Sequence, residues 1–482
     1  MFKLMAPQES IAVRETLVVG WSGHRNIDAA VVTPAIESVV AELVGSGRRI
    51  AGLGSVAIGC DLLVAGQLDD AGVPLLLLLP YDREAFETEA AAEEVAEIDR
   101  LLGVARDVTV TGHVRDEDRY LELGAQTVEG CGVLIAVWDG EAARGAGGTG
   151  DVIELANAQG TPVIRIDSRT GETTWPDGLD LSDDPAALEV PRTKAGIDEL
   201  HDRFSQEADK HAWPSRLLLF RIILLHLIAA GIAVSALVFD KYIPTDFDSI
   251  AAGVFKVAAL VWALVLAAKH RKHHRSWLSQ RTAAEWLRAF SAIWPLRRDV
   301  VHVPTAVHSA TRDLRRELEL AWHLAEDGRA DDPVSAAQGY ATDRIDDQIA
   351  YFRKRAAMAH RWHHVLHKAA GAVTGAAIAC GSVAVVLALQ HIHGPFFSAI
   401  KFLSIVLPLT TAAILSAGIS SDTSRRAGRY EEIAAELEQL EQQLEHARSW
   451  GGVGKVASRT EAVLLDELGE WHAFTRFAGE SH

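Results

Sequence analysis

A chain of 482 residues has room for two to four domains, and its hydrophobic content of 49% is enough to build cores. Its formal net charge of −18 comes from the first 200 residues, which hold 35 acidic and 15 basic side chains against 30 and 32 in the remainder. So acidic a leading part excludes non-specific nucleic-acid binding, which needs a positive surface to release counterions.

In chain order, the opening MFKLMAPQES has no long apolar core, and no signal peptide is expected. Short apolar runs at 16–20 (TLVVG), 49–53, 73–79, 107–110, 133–137 (VLIAV) and 161–166 read as strands. Between them, 29–44, 58–65, 84–102 and 117–128 have helical periodicity or composition, and 149–156 opens a further helix. Alternation at this spacing predicts a doubly wound parallel α/β sheet, Rossmann-like in form. Ligands of such sheets sit beyond the carboxyl ends of the strands, at the topological switch. The loops there are rich in glycine and polar residues. After the fifth strand come Trp138-Asp139, then Gly145, Gly147, Gly148 and Thr149-Gly150-Asp151 at a helix start. Strand, glycine turn and helix start together read either as a seat for phosphate, with backbone N–H groups and the helix dipole toward the anion, or as a plain tight connection. The spacing is neither the dinucleotide fingerprint nor a Walker loop. Cys60, Cys131 and Cys380 stand far apart without metal-ligand spacing, so reduced thiols and no metal site are expected.

Gly23-His24-Arg25, the segment SVAIGCDLLVA at 55–65, Leu79-Pro80-Tyr81, and LIAVWDG followed by GGTGD resemble the SLOG superfamily. The resemblance covers roughly 10–170. It implies a nucleotide-sensing domain over 1–190, with Gly23, His24 and Arg25 in a first ligand loop. Gly54, Ser55, Gly59 and Asp61 fall in a second, and Asp139, Gly147, Gly148 and Thr149 in a third. The implied ligand is a nucleotide or an ADP-ribose-like, NAD-derived signal, with no obligatory cofactor. Arg25 would pair with a phosphate, and Asp61 or Asp139 with a ribose hydroxyl. Plainer roles stand beside these: His24 ending a strand, Asp61 capping its own helix, Trp138 in a core. The chain departs from the family where Ile58 and Leu62 replace a charged pair, and in lacking the phosphoribohydrolase form of the third loop. Both departures bear against catalysis more than against binding. No catalytic residue is assigned, and Glu154 is the one acid near the third loop.

Residues 167–195 are rich in Asp, Pro, Gly and Thr and read as a domain boundary. Beyond them the chain reads as helical. Apolar runs at 217–239 and 250–268, and again at 369–389 and 402–419, have the length needed to cross a bilayer, and pair into hairpins 217–268 and 369–419. Basic residues flank the outer ends of both pairs, among them Lys269 to Arg275, Arg353 to Arg355, Arg425, Arg426 and Arg429. That asymmetry predicts both termini in the cytoplasm. Asp202 and Asp347, Lys256 and Lys401, and Arg281 and Arg426 share one separation, as a repeated unit would. Amphipathic helices are expected before the spans (200–216, 346–368) and after them (277–293, 429–448). Gly451 to Gly454 are expected to end the last of these, with a final helix at 459–477. Lys256 and Lys401 either snorkel to headgroups or line a pore. His270, His273, His274, His360, His363, His364 and His367 cluster at the cytoplasmic face; His360, His364 and His367, like His363 and His367, have metal-like spacing, but without a carboxylate base a membrane-interface role is expected ahead of zinc, and the basic cluster could hold anionic lipid.

The two-span units resemble SLATT domains, on the architecture and on Gln348, Tyr351 and the charged helix after the second span. The implied layout is a first unit at 196–300, a connecting helical segment at 301–342, a second unit at 343–450 and a C-terminal helix at 451–482. The two resemblances together imply a ligand-gated effector of the bacterial inner membrane. A nucleotide signal would trigger an oligomeric pore or membrane disruption in antiphage defence, with a homo-oligomer and the lipid bilayer as partners. The alternative is a membrane-anchored N-glycosidase acting on a nucleotide or NAD.

Overall fold

The computed structural model describes residues 11–86, 90–110, 118–143, 147–239, 246–296, 301, 311–325, 328–392, 394–421 and 423–480. Its N-terminal part is built on seven strands: β1 (Leu17–Gly23), β2 (Ile50–Gly54), β3 (Leu75–Leu79), β4 (Asp107–Val110), β5 (Val133–Trp138), β6 (Val163–Asp167) and β7 (Thr173–Thr174). They lie in the order 4-3-2-1-5-6-7. All pairings are parallel except β6 with β7. Helices α1 (Ala29–Gly45), α2 (Cys60–Asp70), α3 (Ala92–Val104), α4 (Asp118–Gly130) and α5 (Thr149–Gln159) make the crossovers. This is the doubly wound sheet that the alternation predicts.

Strand composition follows from burial on both faces. Along β5, Val133, Ile135 and Val137 pack with α1 and α2, while Leu134 and Ala136 pack with α4 and α5. β1 runs three residues beyond its expected end, because Trp21, Ser22 and Gly23 continue to pair with Ile135, Ala136 and Val137. Trp21 is buried there, and its Nε1 donates to the Ser55 carbonyl at 2.8 Å. Conversely, the helix expected from residue 84 begins only at Ala92, because 83–86 form a turn that buries Phe86. α1 starts where the Asp28 carboxylate accepts from Ala30 N–H at 3.0 Å. α5 stops at Gly160, whose φ of 75° is the left-handed cap.

The expected boundary at 167–195 is a strap, not a free linker. After β7 it returns along the domain, with Trp175, Leu179 and Leu181 against the core. Arg14 Nε donates to Asp183 at 2.8 Å, Arg48 to the Asp180 carbonyl at 2.8 Å, and Val13 bridges to Leu188. The strap thus travels from the crest of the sheet, its carboxyl edge, to the base, where the strands begin.

The remainder is helical: α6 (Lys194–Phe239), α7 (Asp246–Ile293), α8 (Arg312–Leu324), α9 (Pro333–Tyr340), a π-helical turn (Ala341–Asp346), α10 (Asp347–Leu389), α11 (Pro395–Ser421), α12 (Thr423–Glu445) and α13 (Trp450–Glu480). The helices expected on either side of the first two spans are continuous with them. α6 is 46 residues long and runs on through Pro214 at its junction, whereas α7 is 48 residues long and has no proline to interrupt it. Gly451, Gly452 and Gly454 lie in the first turns of α13. Ser449 accepts from Gly452 N–H at 3.2 Å and so starts that helix ahead of them.

One core gathers the membrane-distal halves of these helices. It includes Leu200 of α6, Trp286 and Phe290 of α7, Leu318 and Trp322 of α8, Phe352 of α10, Leu437 of α12 and Val453 of α13. Within it, Arg344 of the π-helical turn and Glu461 of α13 form an ion pair at 2.7 Å, with side chains 3% and 0% exposed. α8 faces both ways. Its Leu314, Leu318 and Trp322 enter the helical core, while Leu320 packs against the α/β domain. Glu317 accepts from Thr16 N–H at 2.7 Å and from the Thr16 hydroxyl at 2.9 Å, both buried. His323 Nδ1 lies 2.6 Å from Asp107. The helical body is therefore docked on the base of the sheet.

Four described stretches are long and apolar enough to cross a membrane: Arg221–Phe239, Gly253–His270, one within Pro333–Leu389, and Pro395–Leu415. At most 11% of each qualifying window is buried by the rest of the chain, so their apolar surface needs lipid or further copies to cover it. The hairpins touch where Phe239 of α6 meets Phe402 of α11, at 6.0 Å between ring centroids. Outside the hairpins, Arg288 of α7 lies 3.5 Å from Asp347 of α10.

Candidate functional site

At the crest, β1 and β5 lie side by side and their chains depart to opposite faces. This is the switch point, and Gly23 pairs with Val137 there. The three expected loops converge on it. Gly23 N–H donates to Asp61 Oδ1 at 3.2 Å. The His24 carbonyl accepts from Cys60 N–H at 3.1 Å. On its other side, His24 Nε2 lies 3.2 Å from Asp139 N and 3.0 Å from Asp139 Oδ1. First, second and third loops are thus joined through His24.

The glycines are where backbones meet. Gly59 has φ +94°, and a Cβ on it would stand 2.2 Å from the Arg25 carbonyl oxygen. Gly23 leaves room for Cys60 Sγ, which a Cβ would approach to 2.3 Å, and Gly54 for the Trp21 ring. Gly147, with φ +76°, lies against the backbone of Tyr120 and Leu121 at the start of α4. Its N–H donates to Asp151 Oδ2 at 3.0 Å. Gly148 is the residue before α5, and Thr149, the first residue of that helix, is buried. Gly145 lies outside the described residues.

Arg25 is a cation at the crest. Its guanidinium donates to the Tyr120 hydroxyl at 3.1 Å and stacks over that ring at 5.7 Å. Tyr120 in turn meets the Tyr81 hydroxyl at 2.6 Å. Tyr81 was flagged by the Leu-Pro-Tyr run. Tyr120 carried no signal beyond its place in a helical pattern. Arg169, from the turn after β6, was also missed; it reaches Glu141 at 2.6 Å and Asp139 at 3.5 Å. Trp138 is half-buried, donates to the Glu141 carbonyl at 2.7 Å and carries Arg165 over its ring at 5.1 Å.

Two groups stand out for their surroundings. The Ser55 hydroxyl is buried and has no hydrogen-bond partner among the described residues. Burial pushes the Cys60 thiol well above its ordinary pKa, with Asp61 adding to the shift, so Cys60 is a packing thiol and not a nucleophile. Glu154 is exposed on the side of α5 away from the buried Val152 and Ile153.

In the membrane half, Lys256 is partly buried and Lys401 exposed, each within a span and toward the start of its helix. Among the described residues neither makes an ion pair. His360 lies 3.0 Å from Glu431 of α12, and the His363 ring lies tilted against that of His367, at 4.4 Å between centroids. No group of three or more metal-binding side chains occurs among the described residues. His393 and 240–245 lie outside the described residues. So do the side chains of Arg271, Lys272, His274, Arg275, Arg425 and Arg426.

Residues 340–471 match the family model of the SMODS and SLOG-associating 2TM effector domain 1, SLATT_1. The match covers the π-helical turn, the second hairpin, α12 and the first part of α13, and so includes both members of the Arg344–Glu461 pair. Together with the four apolar stretches it identifies a membrane protein with an effector-type two-span module. Comparison with curated proteins gives no match.

Proposed function

We propose that the chain is a ligand-gated membrane effector. The crest of the α/β domain takes a nucleotide or an NAD-derived, ADP-ribose-like signal. Arg25 reaches one phosphate, and the start of α5 at Gly148 and Thr149 faces another. Asp61 and Asp139 are the acceptors for ribose hydroxyls, and the unpartnered Ser55 hydroxyl is a further donor. The observation that carries the reading is the meeting of the loops after β1, β2 and β5 around His24, above a domain docked on an effector body.

The signal acts by binding two states of the protein with unequal affinity. Its effect passes through α8 into the helical core and from there along the continuous α6 and α7. Copies assemble so that their apolar stretches cover one another, in closed symmetry. The assembly opens a pore in, or disrupts, the bacterial inner membrane, with both termini cytoplasmic, as a step in antiphage defence. Lys256 and Lys401 are the pore candidates, and a ring of them would favour anions.

The test is a titration of the full chain, in detergent and in dye-loaded liposomes, with NAD, ADP-ribose and nucleoside monophosphates. One of these should bind and release dye, and Arg25→Ala should weaken its binding at least tenfold. Cleavage of the ligand with product release would replace this reading with that of an anchored N-glycosidase. Absence of binding by every member of the set would overturn it.

A further inference from the structure

One side of α10 turns away from the rest of the chain just before its span. Phe352 and Ala356 are buried on the inner side of that helix. Lys354 falls between them, two residues from each, and so points the opposite way. Seven residues bring a helix to within about 20° of two full turns, so Arg361 and Lys368 follow Lys354 along one line. All three are exposed, and none makes an ion pair or a hydrogen bond among the described residues. Other cations of the segment are engaged: Arg353 with Glu438 at 2.5 Å, His360 with Glu431 at 3.0 Å, and Arg355 over the Tyr351 ring at 5.1 Å.

Two large apolar side chains share this outer face. Val365 lies one turn from both Arg361 and Lys368, and Trp362 one turn before Val365. Trp362 is 56% and Val365 54% exposed. Indole and valine beside free cations suit the rim of a bilayer, where aromatic rings sit among the headgroups and long cationic side chains reach the phosphates. The apolar run of α10 begins directly after Lys368, at residue 369. Counted from there, Arg361 lies about 12 Å and Lys354 about 22 Å from the hydrocarbon. The headgroup layer adds only about 5–8 Å on each side. Lys368 therefore stands within it, Arg361 reaches it with an extended side chain, and Lys354 falls short.

We propose that the outer face of α10 formed by Arg361, Trp362, Val365 and Lys368 binds anionic phospholipid, with the two cations on headgroup phosphates and Trp362 and Val365 against the glycerol level. The proposal requires neither a crest ligand nor a pore. Because α10 carries this face and the span on one helix, and begins at the π-helical turn of the core, the lipid contact sets the height of the effector module in the leaflet.

The test titrates the full chain in dodecyl maltoside with dioleoylphosphatidylglycerol or dioleoylphosphatidylcholine and follows the melting midpoint. The glycerol lipid should raise it saturably and the choline lipid should not. Arg361→Gln and Lys368→Gln should each raise the half-saturating concentration about fivefold, the factor one cation contributes near an anionic leaflet, and the double variant about 25-fold. Lys354→Gln should leave it within about twofold. All three side chains are exposed, so the variants keep the fold. An equal rise with either lipid overturns the proposal. So does a double variant that responds like the parent, since cations elsewhere then hold the lipid. A loss in Lys354→Gln equal to the other two reads as diffuse attraction and overturns it, as does glycerol 3-phosphate alone reproducing the rise. If the cations instead meet an acidic face of a second copy, the double variant shrinks the oligomer in detergent and leaves the lipid response unchanged, and the proposal falls.

Discussion

Replacing Glu461 by alanine should destabilise the helical body more than any surface change in the chain. Both carboxylate oxygens are engaged: Oε1 by Arg344 Nε at 2.9 Å and by the Tyr340 hydroxyl at 2.8 Å, and Oε2 by Arg344 Nη2 at 2.7 Å. Glu461 is 0% and Arg344 2% exposed, so water cannot replace the lost carboxylate. Leaving a buried guanidinium without its counter-charge costs about 3–5 kcal/mol. Removing both charges, as in Arg344→Met with Glu461→Met, should return most of that loss, because two buried charges no longer need desolvation. Urea unfolding in detergent gives the measurement. Fluorescence follows Trp286, Trp294 and Trp322, all buried in the same core, and hydrogen exchange along α13 localises the effect. A loss below about 1 kcal/mol for Glu461→Ala, or a double variant no better than the single one, would refute the reasoning.

Gly59→Ala should cost roughly 2 kcal/mol in the α/β domain and weaken any crest ligand, since the new methyl at positive φ collides with the Arg25 carbonyl; thermal unfolding checks it, and a neutral result rejects the close approach. Glu317→Ala leaves the buried Thr16 N–H and hydroxyl without their acceptor, at about 1–3 kcal/mol for each. The domain should then loosen from α8, seen as faster hydrogen exchange across 312–324. The strap should respond to acid. The hydrogen bond from Arg14, then their mutual attraction, holds the Asp183 pKa below its ordinary 3.8. Its contribution is therefore complete above that value and lost as pH falls through the lower, folded one. Exchange protection over 176–190 should collapse in that acid window, and Asp183→Asn should collapse it at neutral pH too.

Strand identity was legible because each strand is buried on both faces, which leaves an unbroken apolar run such as Val133 to Val137. The crest was legible for the related reason that a parallel sheet gathers its glycine-rich loops at one edge. What escaped were contacts made by residues with ordinary local patterns. Tyr120 sits in a helix like any other tyrosine, and only the fold brings it to Arg25 and Tyr81. Arg169 looks like a turn residue until β6 places it beside Glu141. The segment at 301–342 read as a mere connection, yet its α8 joins the two halves. A helical segment was expected there, but its two-sided role depends on Glu317 meeting Thr16, three hundred residues away in sequence. The Arg344–Glu461 pair was likewise invisible, since nothing local marks a charge as buried.

The unbroken run of α7 from span to core has a mechanical consequence. A helix of 48 residues is a rod about 72 Å long, and without a proline it has no built-in hinge to absorb motion at its middle. If the body pivots it by about 5°, its far tip swings by about 6 Å, half a helix diameter or more. Small rearrangements among the aromatic side chains of the core are thus geared up into several ångströms at the far end of the rod.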